Sequence, residues 1–266
     1  MIRAPSRLLL NTPHVEIWPG GLLHARSNHD ARLLSRATAV LRRKRDGRYL
    51  AAVLPQGLMP LVPRLSRETG IDAALNMLDA PPARHCDPDT LGHLPIDGLL
   101  TYLQHLGLDQ AYGERTGLEL VAEPVALSFA GHDRYRRPLW LTRHAATGWL
   151  HMQQAARKDG ITLDAISGYR SHDYQLGIFE RKFARGQTLE QILSVNAAPG
   201  YSEHHSGDAL DIGTPGEPPA EESFETTPAF AWLSAHAGDF GFTLSYPRDN
   251  PHGIVYEPWH WRHQDI

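Results

Sequence analysis

The 266-residue sequence is poor in cysteine and in long apolar runs. Its one cysteine, Cys86, excludes an intrachain disulfide, and we interpret it as an ordinary thiol rather than a nucleophile. No run of eighteen apolar residues is present, so no membrane span is predicted. Basic residues are outnumbered, with 26 Lys and Arg against 30 Asp and Glu and a formal net charge of −4. This balance argues against a nucleic-acid partner bound through its phosphates.

Apolar spacing and turn residues divide the chain into regions 1–125 and 126–266. In the first region, Asp46-Gly47 between two apolar runs predicts a β-hairpin. Residues 71–78 and 96–106 have helical apolar spacing. This region carries no motif that indicates chemistry. We predict an accessory α/β domain or an N-terminal extension of unknown function.

The second region mixes helices and strands without strict alternation. Apolar residues recur at helical spacing over 141–156, which predicts Trp149 and Met152 as core residues, and Thr188 opens a capping box. Short strands are predicted at 161–167, 209–212, 242–246 and 254–257. This order predicts an α+β fold, in which helices flank a small antiparallel sheet that carries the functional site.

Histidine is plentiful, at 16 residues, and two stretches combine it with carboxylates. They are Ser-Glu-His-His-Ser-Gly-Asp-Ala-Leu-Asp at 202–211 and Glu-Pro-Trp-His at 257–260. His204, Asp211 and His260 offer two imidazoles and one carboxylate, and catalytic zinc takes three protein ligands and keeps a fourth position for water. Glu257 is then left over as a base for that water. The pattern therefore predicts a hydrolase with one zinc ion.

The residues around these ligands indicate a site borne on a sheet. Gly207 and Ala209 are small enough for the backbone and a neighbouring strand to approach the ion. Pro258 disfavours a regular helix through the second stretch, because the residue before proline prefers extended geometry. His263 is an alternative ligand close to His260. His205 directly follows a ligand and is expected to pack rather than to bind the ion.

Together with Ser167-Gly168-Tyr169-Arg170-Ser171, the two stretches closely resemble the VanY-type D-alanyl-D-alanine carboxypeptidases. These zinc peptidases belong to a wider group with the lysostaphin-type enzymes and the Hedgehog signalling domain. The resemblance runs from about Phe129 to Trp261, and the motifs occur in the family's order. One departure is Ser245, where similar enzymes often have a basic residue before the Tyr-Pro of the last turn. This departure leaves the substrate preference open.

The resemblance implies roles for three further residues and a class of substrate. Arg170 would bind the substrate and stabilise the oxyanion, while Gln175 and Ser202 would hold the terminal carboxylate of the substrate. The substrate would be a peptidoglycan stem peptide or muropeptide, cut at its terminal D-amino-acid bond. A D,D and an L,D specificity both stay open, and so does the oligomeric state.

Two alternatives remain beside the carboxypeptidase. An endopeptidase would cut within wall cross-links and would need a cleft open at both ends. A binding module would keep the zinc ion without catalysis, although such a module needs neither Glu257 nor Arg170. The resemblance favours the periplasm or cell envelope, but the apolar run after Met1 stops at Asn11, too early for a signal peptide. A cytoplasmic location therefore also stays open.

Overall fold

The computed structural model describes residues 7–25, 27–82, 87–108 and 111–264, so Cys86 lies outside the described residues. Helices and antiparallel strands mix along the chain, which confirms the predicted α+β class. The strands are β1 (Leu8–Asn11), β2 (Val15–Pro19), β3 (Ala39–Arg43), β4 (Tyr49–Leu54), β5 (Gly57–Pro60), β6 (Ala126–His132), β7 (Pro138–Leu141), β8 (Asp164–Ser167), β9 (Ala209–Gly213), β10 (Phe242–Leu244) and β11 (His260–His263). The α-helices are α1 (Asn28–Leu34), α2 (Ile71–Asp79), α3 (Asp97–His105), α4 (Tyr112–Thr116), α5 (Arg143–Lys158), α6 (His172–Phe183), α7 (Leu189–Leu193) and α8 (Pro228–His236). In the described part of the chain, no helix has both the length and the apolar character that crossing a membrane requires.

The larger sheet has the strand order β5-β4-β3-β2-β1-β6-β7. The predicted hairpin is present: β3 pairs with β4 across Asp46-Gly47, and Gly47 has a φ of +69°, which glycine adopts without strain. β1 pairs with β6, so this sheet continues across the predicted boundary between regions 1–125 and 126–266. The division into two domains stays a prediction.

The smaller sheet has the strand order β10-β11-β9-β8. In its centre β11 pairs antiparallel with β9, and His260 lies directly opposite Asp211. Residues in such cross-strand pairs have Cβ atoms about 4.5–5.5 Å apart. The register of this sheet therefore brings two of the predicted metal ligands together, although 49 positions separate them in the chain.

The strand predicted over residues 254–257 is wrong, because these residues form no strand and β11 begins only at His260. Pro258 has no N–H to donate to a neighbouring strand. The amide of His260 donates to the carbonyl oxygen of Glu257 at 3.1 Å, and the amide of Glu257 donates to the carbonyl oxygen of Tyr246 at 3.1 Å. Glu257 therefore lies in a turn beside the sheet.

Helix α5 packs its apolar face against the smaller sheet. Thr142 caps the N-terminus of the helix with a side-chain hydrogen bond. Trp149 and Met152 are 1% and 0% exposed, as a core position requires, and they share one apolar cluster with Leu210 and Trp261 of the sheet. Burial of this cluster stabilises β9 and β11, the two strands that carry Asp211 and His260.

We expect Trp149→Ala to lower the free energy of unfolding by about 3–5 kcal/mol, because it leaves a cavity in this cluster. Leu150→Ala is the matched control, since Leu150 lies at the next position of the same helix and is 52% exposed. The control should change the free energy by about 0.5 kcal/mol or less. Urea unfolding followed by circular dichroism measures both values. Equal losses in the two variants would contradict the described core.

Candidate metal centre

His204, Asp211 and His260 meet beside the two central strands of the smaller sheet. His204 lies in a short 3-10 helix, Asp211 on β9 and His260 at the start of β11. Nε2 of His204 is 3.3 Å and Nδ1 of His260 is 3.1 Å from the two oxygens of Asp211. One ligand atom from each residue lies within 4.8 Å of the others, and all three residues are buried. Among the residues that the structure describes, no other three histidine, cysteine or acidic side chains form such a group.

Each imidazole is oriented by the nitrogen that faces away from Asp211. Nδ1 of His204 donates to the carbonyl oxygen of Gly168 at 2.8 Å. Nε2 of His260 donates to Oε2 of Glu203 at 2.9 Å. Because these nitrogens carry protons, the other nitrogen of each ring is directed at the carboxylate of Asp211 as a ligand atom.

The electrostatics of this space favour a cation. Burial lowers the pKa of His260, but hydrogen bonds to Asp211 and Glu203 outweigh burial and raise this pKa to about 10. Burial raises the pKa of Asp211, but His204 and His260 outweigh it and hold this pKa below its ordinary value. Two imidazoles and one carboxylate, all buried and facing one space, are a donor set that fits zinc.

Gly207 allows the chain to turn between His204 and Asp211. It has a φ of +79°, and a Cβ atom at this position would lie 2.4 Å from Cδ2 of Leu127. The carbonyl oxygen of Gly207 accepts a hydrogen bond from the amide of Thr142 at 2.9 Å. A small residue is therefore needed here for contact with β6 and the start of α5, rather than for close approach to an ion.

Glu257 lies beside the three candidate ligands. Its Oε2 is 3.8 Å from Nδ1 of His260, and its side chain is 14% exposed. Burial raises the pKa of Glu257 to about 7, although the positive charges of His260 and Arg170 oppose this change. A carboxyl group with a pKa near neutrality can accept and release a proton, which is the property of a general base.

Arg170 enters the same space from the loop that follows β8. All seven residues predicted for the site line one cavity of about 340 Å³. Nη1 of Arg170 donates to Oε1 of Gln175 at 3.0 Å, and Nε2 of Gln175 donates to the carbonyl oxygen of Ala197 at 3.1 Å. Gln175, which is 1% exposed, is therefore engaged at both ends of its amide and holds Arg170. Ser202 lies in the wall of the cavity.

Two charged residues of this site, Glu203 and Lys182, were not predicted from the sequence. Glu203 accepts hydrogen bonds from His260 and from Nη1 of Arg262 at 3.2 Å. Burial raises the pKa of Glu203, but the hydrogen bond and charge of His260 outweigh it and lower this pKa to about 2.

Lys182 lines the cavity from helix α6, and burial and the charge of Arg170 lower its pKa. Two features of the sequence could have identified these residues. Glu203 is a carboxylate inside the first motif, and Lys182 follows Gln175 by seven residues, which places both on one helix face.

The two other histidines considered from the sequence, His205 and His263, lie outside this group. His205 is fully buried, its Nε2 accepts from the amide of Gly200 at 3.0 Å, and its Nδ1 is 2.6 Å from the carbonyl oxygen of Arg170. Both ring nitrogens are thus engaged elsewhere. His263, the alternative ligand, packs against the ring of Phe242 with the ring centroids 5.2 Å apart.

Comparison with known proteins finds relatives for about half of the chain. A family model described as VanY, D-alanyl-D-alanine carboxypeptidase, matches residues 138–266. The putative carboxypeptidase YodJ of Bacillus subtilis (strain 168) is 35% identical over 150 residues, which cover 54% of this chain and 53% of YodJ. The bifunctional D-Ala-D-Ala dipeptidase and D-Ala-D-Ala carboxypeptidase VanXYC of Enterococcus gallinarum is 30% identical over 146 residues, or 52% of this chain and 72% of VanXYC. The crystal structure of a vancomycin resistance D,D-pentapeptidase VanY mutant in complex with Zn(II) is 31% identical, with a TM-score of 0.40 over 48% of this chain and 74% of that chain. The chain thus spans about half the length of YodJ.

We expect Glu203→Gln to weaken zinc binding about 10–100-fold, because carboxylates that orient a ligating imidazole contribute to metal affinity by this amount. Competition with a chromophoric chelator measures the affinity. Glu225→Gln, the same change at a carboxylate that is outside the site, is the control. A Glu203→Gln variant that binds zinc as tightly as the control would show that Glu203 does not orient His260.

Proposed function

The chain belongs to the VanY family of D-alanyl-D-alanine carboxypeptidases, and from this membership we propose that it is a peptidase with one zinc ion that removes the terminal D-amino acid of peptidoglycan stem peptides. The observation that carries the proposal is the meeting of His204, Asp211 and His260 within 4.8 Å, with Glu257 beside them. This arrangement offers three metal ligands and a separate base, as metal-assisted peptide hydrolysis requires.

Metal binding and proton transfer are divided between different side chains. His204, Asp211 and His260 would hold the zinc ion, which when bound activates water and polarises a carbonyl group. Glu257 takes a proton from the attacking water and later donates it to the leaving amine. Burial raises the pKa of Glu257 above its ordinary value, which makes the carboxylate a stronger base.

Arg170 stabilises the negative charge that develops on the scissile carbonyl oxygen. Its guanidinium group is held in the cavity by Gln175, and it therefore needs little reorganisation when the charge forms. One donor of this kind is worth about 3–4 kcal/mol in the transition state. Gln175 then contributes to the substrate site through Arg170 as well as through its place in the cavity wall.

The free carboxylate of the substrate binds at the part of the cavity lined by Gln175, Ser202 and Lys182. Ser202 offers a hydroxyl group and Lys182 offers a positive charge. Within the described residues no carboxylate forms an ion pair with Lys182, whose pKa is shifted only by burial and by Arg170, so its ammonium group is available to the substrate. A cation at this place favours cleavage at a chain end over cleavage within a cross-link.

The test of the proposal is digestion of defined stem pentapeptides and tetrapeptides by the zinc-loaded protein, followed by mass spectrometry. We expect release of one terminal D-alanine, and the peptide that loses it distinguishes D,D from L,D specificity. Glu257→Gln should lower kcat about 10²–10⁴-fold, because it removes the base, while zinc content stays at one ion per chain. Removal of zinc by a chelator should abolish cleavage, and added zinc should restore it.

Three results would contradict the proposal. Cleavage that persists in Glu257→Gln would exclude this residue as the base. Cleavage within cross-linked peptides without loss of terminal D-alanine would indicate the endopeptidase. Binding of stem peptides by the wild-type protein without cleavage of any would indicate the binding module.

Lys182→Met tests the recognition of the terminal carboxylate. We expect KM for a peptide with a free C-terminus to rise at least about tenfold, because a charged hydrogen bond of about 1.5–3 kcal/mol is lost. KM for the matching C-terminal amide should change less than about twofold. Arg181→Met, one position earlier on the same helix, is the control. Equal effects of Lys182→Met on the acid and the amide would show that Lys182 does not bind the carboxylate.

A further inference from the structure

Glu123 is a buried carboxylate at which the two regions of the chain meet. It is 3% exposed and precedes the segment that the family model matches. Its Oε2 accepts hydrogen bonds from Nζ of Lys44 at 2.5 Å and from the hydroxyl group of Tyr169. Its Oε1 accepts from the amide of His172 at 2.9 Å. One carboxylate therefore binds region 1–125 to the loop that carries Arg170.

The two residues that Glu123 binds are Tyr169 in this loop and His172 at the start of helix α6, and they lie on either side of Arg170. The loop is also held from the metal side, since the amide of Arg170 donates to the carbonyl oxygen of His204 at 3.1 Å. The ring of His172 packs edge-on against that of His205, with the ring centroids 4.4 Å apart. The backbone of Arg170 is thus fixed between a candidate metal ligand on one side and Glu123 on the other.

Lys44 supplies the positive charge that allows Glu123 to be buried as a carboxylate. Its side chain is 0% exposed, and a carboxylate buried as deeply as Glu123 requires a partner of opposite charge. Burial raises the pKa of Glu123, but the charges of Lys44 and His172 outweigh it and lower this pKa, so the carboxylate stays ionised. Lys44 follows strand β3, and its amide donates to the carbonyl oxygen of His14 at 3.0 Å.

A second polar contact between region 1–125 and the start of helix α6 lies next to the contacts of Glu123. Nδ1 of His14 is 2.9 Å from Oδ2 of Asp173, which follows His172 in helix α6. His14 and Glu123 come from region 1–125 and are bonded directly to residues 169–173. Lys44, from the same region, is joined to these residues through Glu123. Region 1–125 therefore contacts the loop that carries Arg170 and the start of helix α6 directly.

We propose that Glu123, paired with Lys44, is a positioning residue that holds Arg170 in the metal cavity, so that region 1–125 forms part of the active site. Glu123 itself is outside the cavity wall and acts through Tyr169, His172 and the backbone of Arg170. The inference rests on the proposed function, since it assigns Arg170 to catalysis. A displacement of such a group by about 1 Å can lower the rate about 10²-fold.

A double-mutant cycle with Arg170→Ala and Glu123→Gln tests this inference on a short stem peptide. We expect Glu123→Gln alone to lower kcat at least tenfold, with zinc affinity within twofold of the wild-type value. In the Arg170→Ala background, Glu123→Gln should change kcat less than about twofold, because its effect passes through Arg170. Losses that multiply in the double variant would overturn the inference.

Two further variants separate positioning from general stability. Glu16→Gln is the matched control: Glu16 is 4% exposed in the same sheet, and it is paired with Arg42 and bonded to Trp18 rather than to the loop. We expect Glu16→Gln to lower the unfolding midpoint without lowering kcat. Tyr169→Phe removes a single donor and keeps the ring, and it should lower kcat in the wild-type but not in the Glu123→Gln background. An equal loss of kcat in Glu16→Gln would overturn the inference.

Hydrogen exchange read by mass spectrometry gives an answer that does not need activity. Glu123→Gln should raise amide exchange in residues 169–173, and Glu16→Gln should not. If the wild-type protein cleaves no stem peptide, the proposed function fails, but the exchange result still decides whether Glu123 positions the loop. Unchanged exchange in residues 169–173 of Glu123→Gln would overturn the inference on its own.

Discussion

The carboxylate of Asp211 is the group on which the candidate site depends. It is buried at the centre of the smaller sheet, and each of its oxygens faces one imidazole. A buried anion needs positive charge or hydrogen bonds beside it, and here a protonated imidazole or a metal ion between the two rings would supply the charge. The pairing of β9 with β11 sets the geometry, because a slip of one residue would turn His260 to the opposite face of the sheet. The apolar contact of helix α5 with these strands therefore stabilises both the fold and the arrangement of Asp211 opposite His260.

The side chains that we propose for binding the metal and for catalysis form two groups that reach the cavity from different elements. The candidate ligands and Glu257 come from the smaller sheet and from the turn before β11. Arg170 comes from a separate loop, which is held by Gln175 on its cavity side and by Glu123 on the side of the larger sheet. In the proposed mechanism, the metal site and the position of Arg170 thus depend on contacts in both sheets. Region 1–125 would therefore contribute to the geometry of the proposed site.

Local patterns predicted much of the fold, and all seven residues predicted for the site line one cavity. The Asp46-Gly47 turn and the Thr188 capping box were identified because their signals lie within a few residues. The strand over 254–257 was wrong because the hydrogen bonds of Glu257 are made with Tyr246 and His260, and apolar alternation does not report them. Glu203 and Glu123 were missed for a related reason: their partners are 57 and 79 positions away in the chain. Buried polar contacts between residues so far apart in the chain produce no periodic pattern in the sequence.

The most direct measurement of the central claim is X-ray absorption at the zinc edge of the zinc-loaded protein. The account predicts a four-coordinate ion with two imidazole nitrogens at about 2.0–2.1 Å and oxygen ligands at about 2.0–2.2 Å. It also predicts that His260→Ala removes one of the two imidazole contributions. A spectrum without imidazole scattering, or one that His260→Ala leaves unchanged, would contradict the claim that His204, Asp211 and His260 bind the ion.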